Sequence, residues 1–247
     1  MTATAAFWRL EVHETLASTS DLARARALAG EEEGLAVQAL AQTAGRGSRG
    51  RDWQSPPDNL YFSVLLRPET APREAGMWAL LAGVAVAEAL EEFHVALKWP
   101  NDILHDGAKL GGILVESSLT SEGVLDFLVI GIGLNLAHAP NLPDRRTASL
   151  QGRLDCRVAA ERILSRISHW QAVVSREGWT LLREVWLSHA LPIGSEMTLR
   201  HADQRVTGRF AGLSDDGSLL LALPDGVRLV SSGEIWIASE ALENAPC

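Results

Sequence analysis

The segment GRGSRGR, residues 45–51, places three arginines and three glycines before a stretch that cannot become a helix. Its glycines satisfy the GxGxxG fingerprint, which needs a following helix whose N-terminus receives a pyrophosphate. Pro56 and Pro57 preclude that helix. The Lys-Ser/Thr pair of a P-loop is also missing after the last glycine. The pattern excludes both nucleotide-binding folds and leaves a solvated surface loop or a loop that holds an anion.

The positive loop contrasts with an acidic chain, which has 22 Lys+Arg against 31 Asp+Glu and a formal net charge of −9. This balance argues against a general nucleic-acid or anionic-membrane binder, although a local basic loop can still hold a small anion. A hydrophobic content of 47% provides a packed core and argues against disorder. The 247 residues suffice for one large domain or for a large and a small one.

The cysteines and the apolar segments indicate the cellular compartment in which the protein resides. Cys156 and Cys247 form no CxxC or Cys/His cluster, which indicates a reducing compartment and no structural zinc. The N-terminus lacks the basic-then-apolar pattern of a signal peptide. The longest apolar run, residues 75–87, is shorter than the roughly 20 residues that span a bilayer, so it predicts a buried helix. We expect a cytoplasmic protein without a membrane segment.

Helical and strand patterns alternate along the first three quarters of the chain. Helices are predicted at residues 18–30, 73–93, 157–176 and 179–190, and strands at 35–40, 59–67, 95–99, 109–117 and 124–136. From Pro192 onward, short apolar runs alternate with turn signals, which is typical of a small antiparallel barrel. We therefore predict two domains, residues 1–191 and 192–247.

The stretch KWPNDILHDGAKLGGILVES, residues 98–117, predicts a hairpin with its turn at Asp106-Gly107. Such a hairpin returns Asn101 and Asp102 to the side of Lys109, where Gly111 and Gly112 leave the backbone bare for a ligand. A turn aspartate and an exposed hairpin lysine are equally good readings of the single residues. Two glycines inside a strand weaken it, however, and a binding site explains that cost better.

A second glycine-containing strand, IGIGLNLA at residues 130–137, places Gly131, Gly133 and Asn135 at its end. These residues either mark a strand-to-turn junction or form a flat wall whose amide recognises a base or phosphate edge. Trp53 follows the arginine loop and either covers the core or stacks on a base.

Together, LAQTAGRGSRGRDWQSPPDNLYFSVLLRP, KWPNDILHDGAKLGGILVES and VIGIGLNLA, in this order and spacing, resemble biotin protein ligases (biotin–acetyl-CoA-carboxylase ligases). The resemblance runs from about Leu16 to the GEI at residues 233–235. It implies an α+β fold, with a mixed-sheet catalytic domain of the biotin/lipoate ligase type and a small C-terminal SH3-like β-barrel. Some bacterial members carry an N-terminal winged helix-turn-helix. About 17 residues precede Ser18, which implies a monofunctional ligase that does not bind DNA.

The resemblance also implies an activity. The family joins biotin to ATP, with Mg²⁺, as biotinyl-5′-AMP and passes the biotinyl group to a lysine of a biotin carboxyl carrier protein domain. A homodimer is one possible assembly. Two alternatives stay open: a lipoate–protein ligase, whose RxxGGG-type motif is absent, and a non-catalytic biotin- or nucleotide-binding protein.

Individual roles carry over by position. The biotin-binding residues implied are Ser18, Thr19, Gln42, Gly45, Arg46, Lys109, Gly112 and Gly131. The ATP- or adenylate-binding residues implied are Ser48, Arg49, Arg51, Trp53 and Asn135, and the magnesium residues are Asn101 and Asp102. The catalytic residues implied are Lys109, Arg46 and Asp102.

Two positions depart from the family pattern. Ser48 stands where a third arginine is usual, from which we expect weaker retention of the adenylate. Ser20 replaces the usual asparagine, and serine is an equally good helix cap.

Overall fold

Two β-sheets organise the described part of the chain, a seven-stranded mixed sheet and a five-stranded antiparallel sheet. The computed structural model describes residues 8–201 and 204–237. The first sheet contains β1 (Arg9–Leu16), β2 (Leu35–Gln42), β3 (Leu60–Leu66), β4 (Ala96–Lys98), β5 (Asp102–His105), β6 (Ala108–Leu119) and β7 (Leu125–Leu134). The second contains β8 (Glu196–His201), β9 (Gln204–Leu213), β10 (Leu219–Leu223), β11 (Gly226–Val230) and β12 (Glu234–Trp236). The α-helices are α1 (Thr19–Leu28), α2 (Met77–Ala89), α3 (Cys156–Glu177) and α4 (Thr180–His189).

The first sheet has the order β1-β2-β3-β7-β6-β5-β4. Strands β1 and β2 are parallel, with α1 as the crossover that a parallel pair requires, and the other neighbours are antiparallel. This arrangement confirms the predicted α+β class. Strand β1 was not predicted, although its alternating polar and apolar residues, RLEVHETL, carry the signal of a half-buried strand.

Helix α2 carries the apolar segment that the sequence predicted as a core helix. Eleven of its 13 residues are buried, and it packs on the first sheet and on α3 and α4. The predicted helix at residues 73–93 is α-helical only in its centre, since Pro72–Glu74 and Glu91–Phe93 are single 3₁₀ turns. The left-handed backbone of His94, with φ of 50°, ends the second turn. Within the described residues, no helix has the length and apolar character needed to cross a membrane.

The predicted hairpin is formed by β5 and β6. Asp106 and Gly107 both have positive φ, 51° and 71°, as a two-residue turn of the I′ kind requires. In the register, Asp102 lies opposite Gly112, and Leu104 lies opposite Lys109. The hairpin prediction is confirmed, and Asp102 and Lys109 are neighbours as expected.

The second sheet has the order β11-β10-β9-β8-β12, which confirms small antiparallel strands after Pro192. Among the described residues, the pairings leave β11 and β12 as its edges. One apolar core runs through both sheets, and two buried side chains cross between them. Lys98 Nζ donates to the Ile235 carbonyl at 3.0 Å, and Trp99 Nε1 donates to the Gly217 carbonyl at 3.0 Å. The division at residue 191 stays a prediction.

Candidate active site

A cavity opens on the face of the first sheet where β6 and β7 present their glycines. Gly112 pairs with Gly133, and Leu114 pairs with Gly131, so three glycines bare the backbone along this face. Most predicted site residues line the cavity: Ser18, Thr19, Gln42, Arg46, Ser48, Arg51, Trp53, Asn101, Lys109, Gly112, Gly131 and Asn135. Gly45, Arg49 and Asp102 are not among the lining residues.

One end of the cavity, beside Gly131, is built from small polar groups. Thr19 donates its backbone N–H to Gln42 Oε1 at 2.8 Å. The hydroxyls of Thr19 and Ser20 both bond Ser63 Oγ, at 2.8 and 3.0 Å. Ser63 is fully buried in β3 and was missed by sequence reasoning, because a single serine in an apolar strand carries no signal. The network orients several short donors and acceptors at the start of α1.

Gln42 also connects this end to the arginine loop. Its Nε2 donates to Ser55 Oγ at 3.0 Å, and Ser55 in turn bonds the Trp53 carbonyl at 3.2 Å. Gly45 packs against Gln42, Ser55 and Trp53, and a Cβ on Gly45 would lie 2.6 Å from the Trp53 carbonyl oxygen. Only glycine fits, so Gly45 permits the close packing of the loop on Gln42.

Trp53 lies over the glycines in the middle of the cavity. A Cβ on Gly133 would be 2.7 Å from its Cε2 atom, and the Lys109 ammonium is 5.9 Å from its ring centroid. Its buried Nε1 has no hydrogen-bond partner among the described residues. Trp53 thus forms part of the cavity wall, and its stacking on a base stays a prediction.

Asn135 follows β7 and continues the same face. Its backbone N–H donates to the Leu110 carbonyl at 2.9 Å, and its side-chain Nδ2 donates to the Ala148 carbonyl at 3.2 Å. Its Oδ1 is buried without a partner in the described part of the chain. A buried acceptor without a partner is costly, so this oxygen is suited to a ligand N–H.

Lys109 lines the cavity and donates to Oδ1 of Asp102, whose Oδ2 lies 2.9 Å from Lys98 Nζ. Burial alone would raise the pKa of Asp102, but the charges of Lys109 and Lys98 outweigh it and hold that pKa well below its usual range.

Lys98 and Lys109 thus occupy both carboxylate oxygens of Asp102. A carboxylate bound in this way is poorly suited to coordinate a metal ion. Asn101 uses its Nδ2 to donate to the Ile113 carbonyl at 2.6 Å. The described residues contain no cluster of three or more His, Cys, Asp or Glu side chains that could hold a metal. The magnesium role of Asn101 and Asp102 stays a prediction.

The loop arginines are paired with carboxylates from three parts of the chain. Arg46 bonds Asp21 at 2.6 Å and Glu116 at 3.1 Å. Arg51 bonds Glu234 in β12 at 2.5 Å, and Arg49 lies 3.6 Å from the same carboxylate. The loop therefore spans the cavity from α1 to the second sheet.

The segment at residues 140–147 also lines the cavity and was not predicted. It is joined to β6 by the bond from Lys109 N–H to the Arg146 carbonyl, at 3.0 Å. Arg145 is 5% exposed, bonds Asp144 at 2.8 Å and Glu234 at 3.0 Å, and lies 4.4 Å from the Trp236 ring centroid. No motif marks this segment, because its position depends on contacts with β6 and β12.

Comparison with known proteins shows the family to which the chain belongs. Residues 12–135 match the model of the Biotin/lipoate A/B protein ligase family, and residues 193–237 match that of the Biotin protein ligase C terminal domain. The chain therefore belongs to the biotin/lipoate A/B protein ligase family. Relatives named biotin–[acetyl-CoA-carboxylase] ligase are among its matches, which confirms the resemblance read from the sequence.

Two relatives and one solved structure illustrate the similarity. The biotin–[acetyl-CoA-carboxylase] ligase of Paracoccus denitrificans is 34% identical over 214 residues, covering 81% of this chain and 89% of the relative. The ligase of the same name from Mycobacterium tuberculosis is 34% identical over 245 residues, covering 92% and 89%. The biotin protein ligase from Aquifex aeolicus in complex with biotin and ATP is 30% identical, with a TM-score of 0.77 over 92% of this chain and 97% of that one.

Proposed function

We propose that this chain is an ATP-dependent ligase that activates biotin as biotinyl-5′-AMP and transfers the biotinyl group to a lysine of a carrier protein. The order of groups along β7 carries the proposal. Small polar groups lie beside Gly131, a lysine lies at Gly112, and the indole at Gly133 is followed by the Asn135 amide, whose oxygen has no partner among the described residues. Biotinyl-AMP presents a ureido ring, an acyl phosphate and a nucleoside in that same order.

The polar end accommodates the ureido ring. A urea has one acceptor oxygen and two N–H donors, and Ser18, Thr19 and Gln42 offer both kinds of partner within the cavity. Gly131 keeps the wall flat there, because a Cβ would lie 2.7 Å from Ser20 Oγ.

Lys109 and the arginine loop serve the reacting groups. A carboxylate oxygen of biotin bonds to the α-phosphorus of ATP while the bond to the bridging oxygen breaks, and pyrophosphate leaves. Two anions must meet in this step, so positioned cations lower its barrier. Lys109 neutralises the carboxylate and the α-phosphate, while Arg46, Arg49 and Arg51 bind phosphate oxygens through their planar forks. Magnesium enters as part of the MgATP substrate.

The second step transfers the acyl group. The amine of the carrier lysine attacks the acyl carbon, forms an amide and releases AMP and a proton. The loop shields the mixed anhydride from water until then, since it covers the cavity between α1 and β12.

The nucleoside lies at Trp53 and Asn135. The indole face stacks on the adenine, and Asn135 Oδ1 accepts from its exocyclic amine, which satisfies an acceptor that lacks a partner among the described residues. Ser48 and Arg51 also line this cavity.

The partner is the biotin carboxyl carrier protein domain of a biotin-dependent carboxylase, and the reaction takes place in the cytoplasm. We assign no binding of DNA or membranes. Sedimentation of the purified enzyme measures its oligomeric state and so tests the homodimer.

Release of pyrophosphate from ATP tests the proposal. Release that requires biotin and is not supported by lipoate is the expected result, followed by labelling of an apo carrier domain. Release with lipoate would identify a lipoate–protein ligase. Binding of biotin and ATP without release would identify a non-catalytic binding protein.

A further inference from the structure

Lys98 lies outside the cavity and carries its charge where water does not reach. Its side chain is 1% exposed. Its Nζ is 2.9 Å from Asp102 Oδ2 and donates to the Ile235 carbonyl at 3.0 Å. A buried ammonium is retained in a fold only where its partners offset its desolvation, and these two contacts are among those that hold Lys98.

Asp102 connects Lys98 to the cavity. One carboxylate oxygen faces Lys98 and the other accepts from Lys109, so two ammonium groups share one carboxylate. Lys109 is the member of the trio that lines the cavity.

We infer that Lys98 is a positioning residue for Lys109. By holding Oδ2 of Asp102, it leaves that carboxylate only one oxygen for Lys109, and by bonding Ile235 it ties the arrangement to β12 of the second sheet. The inference rests on the proposed function, because its effect is exerted on the lysine that meets the reacting anions.

Loss of Lys98 should change chemistry more than binding. Without it, both oxygens of Asp102 become available to Lys109, whose charge is then neutralised within the protein and no longer available to the ligand. The Lys98→Met variant should therefore form adenylate about 10- to 100-fold more slowly, the scale of a misplaced catalytic group. Its affinity for biotin should fall by a smaller factor than the rate, since the ureido contacts remain.

Trp99→Phe is the matched control. Trp99 is the next residue, is equally buried, and also bonds the second sheet, but it does not line the cavity. This variant should adenylate biotin at the wild-type rate even if its melting temperature falls. Equal losses of rate in Lys98→Met and Trp99→Phe would overturn the inference, because contact between the sheets would then be the common cause.

Two further variants keep the test decisive. Lys98→Gln keeps a donor for Ile235 without the charge, and it decides the matter should Lys98→Met fail to fold. Adenylation by Lys98→Gln at the wild-type rate would overturn the inference.

The second variant is Asp102→Asn combined with Lys98→Met. If Lys98 acts through Asp102, the double variant is no slower than Asp102→Asn alone, whereas multiplied losses would show an independent role. Wild-type protein is measured first: absence of biotin-dependent pyrophosphate release there refutes the proposed function itself, and a normal rate in Lys98→Gln refutes only the role of Lys98.

Discussion

The indole of Trp53 lies directly on the backbone of Gly133, so closely that a Cβ on this glycine would be 2.7 Å from Trp53 Cε2. Two residues earlier on the same strand, a Cβ on Gly131 would instead lie 2.7 Å from Ser20 Oγ. The two glycines thus serve neighbouring parts of one cavity.

This pair permits a matched experiment. Gly133→Ala displaces a rigid ring, and since stacking on a base is worth about 1–3 kcal/mol, the affinity for ATP should fall about tenfold or more. Gly131→Ala should weaken biotin binding and leave ATP binding nearly unchanged. Separate titrations with biotin and with a non-hydrolysable ATP analogue measure both effects. Equal losses of both ligands in each variant would contradict the assignment of the two ends.

Lys109→Ala should lower the rate of adenylate formation by about 10²- to 10³-fold, the usual scale for one charge partner of a transition state. Single-turnover release of pyrophosphate measures it, with circular dichroism as the control for folding. A near-normal rate would exclude Lys109 from the chemistry.

Asp102→Asn tests the predicted magnesium role against the lysine pairing. Because both carboxylate oxygens are held by Lys98 and Lys109, we expect slower adenylation with an unchanged dependence on magnesium concentration. Titration of Mg²⁺ at saturating ATP gives the answer. A clearly higher magnesium requirement in the variant would restore Asp102 as a metal ligand, since carboxylate oxygens suit that ion.

Ser48→Arg should slow the dissociation of biotinyl-AMP by roughly tenfold, because a charge-assisted hydrogen bond is about twice as strong as a neutral one. Labelling of a non-cognate protein should fall in parallel. An equal off-rate in wild type and variant would show that another cation already holds the adenylate. Arg51 and Arg145 line the same cavity. Adding Arg145→Gln to the wild type and to Ser48→Arg would show whether Arg145 is the cation that holds the adenylate.

The local sequence determined those parts of the molecule that depend on near neighbours. The Asp106-Gly107 turn specifies the β5–β6 hairpin, which places Asp102 and Lys109 on neighbouring strands within reach of each other. Pro56 and Pro57 likewise exclude a helix after the arginine loop, and the chain there forms none until Met77 apart from short 3₁₀ turns.

Only the tertiary structure decided the contacts between distant segments. The bond from Lys98 to Ile235 joins residues 137 positions apart, and the segment containing Arg145 reaches the cavity through β6 and Glu234. Such contacts leave no periodic or turn signal, because they depend on how the two sheets pack around a shared apolar core. The sequence by itself therefore determined the family, the hairpin and the candidate catalytic lysine, while the packing of the two sheets decided the contacts that Lys98 and Arg145 make with β12.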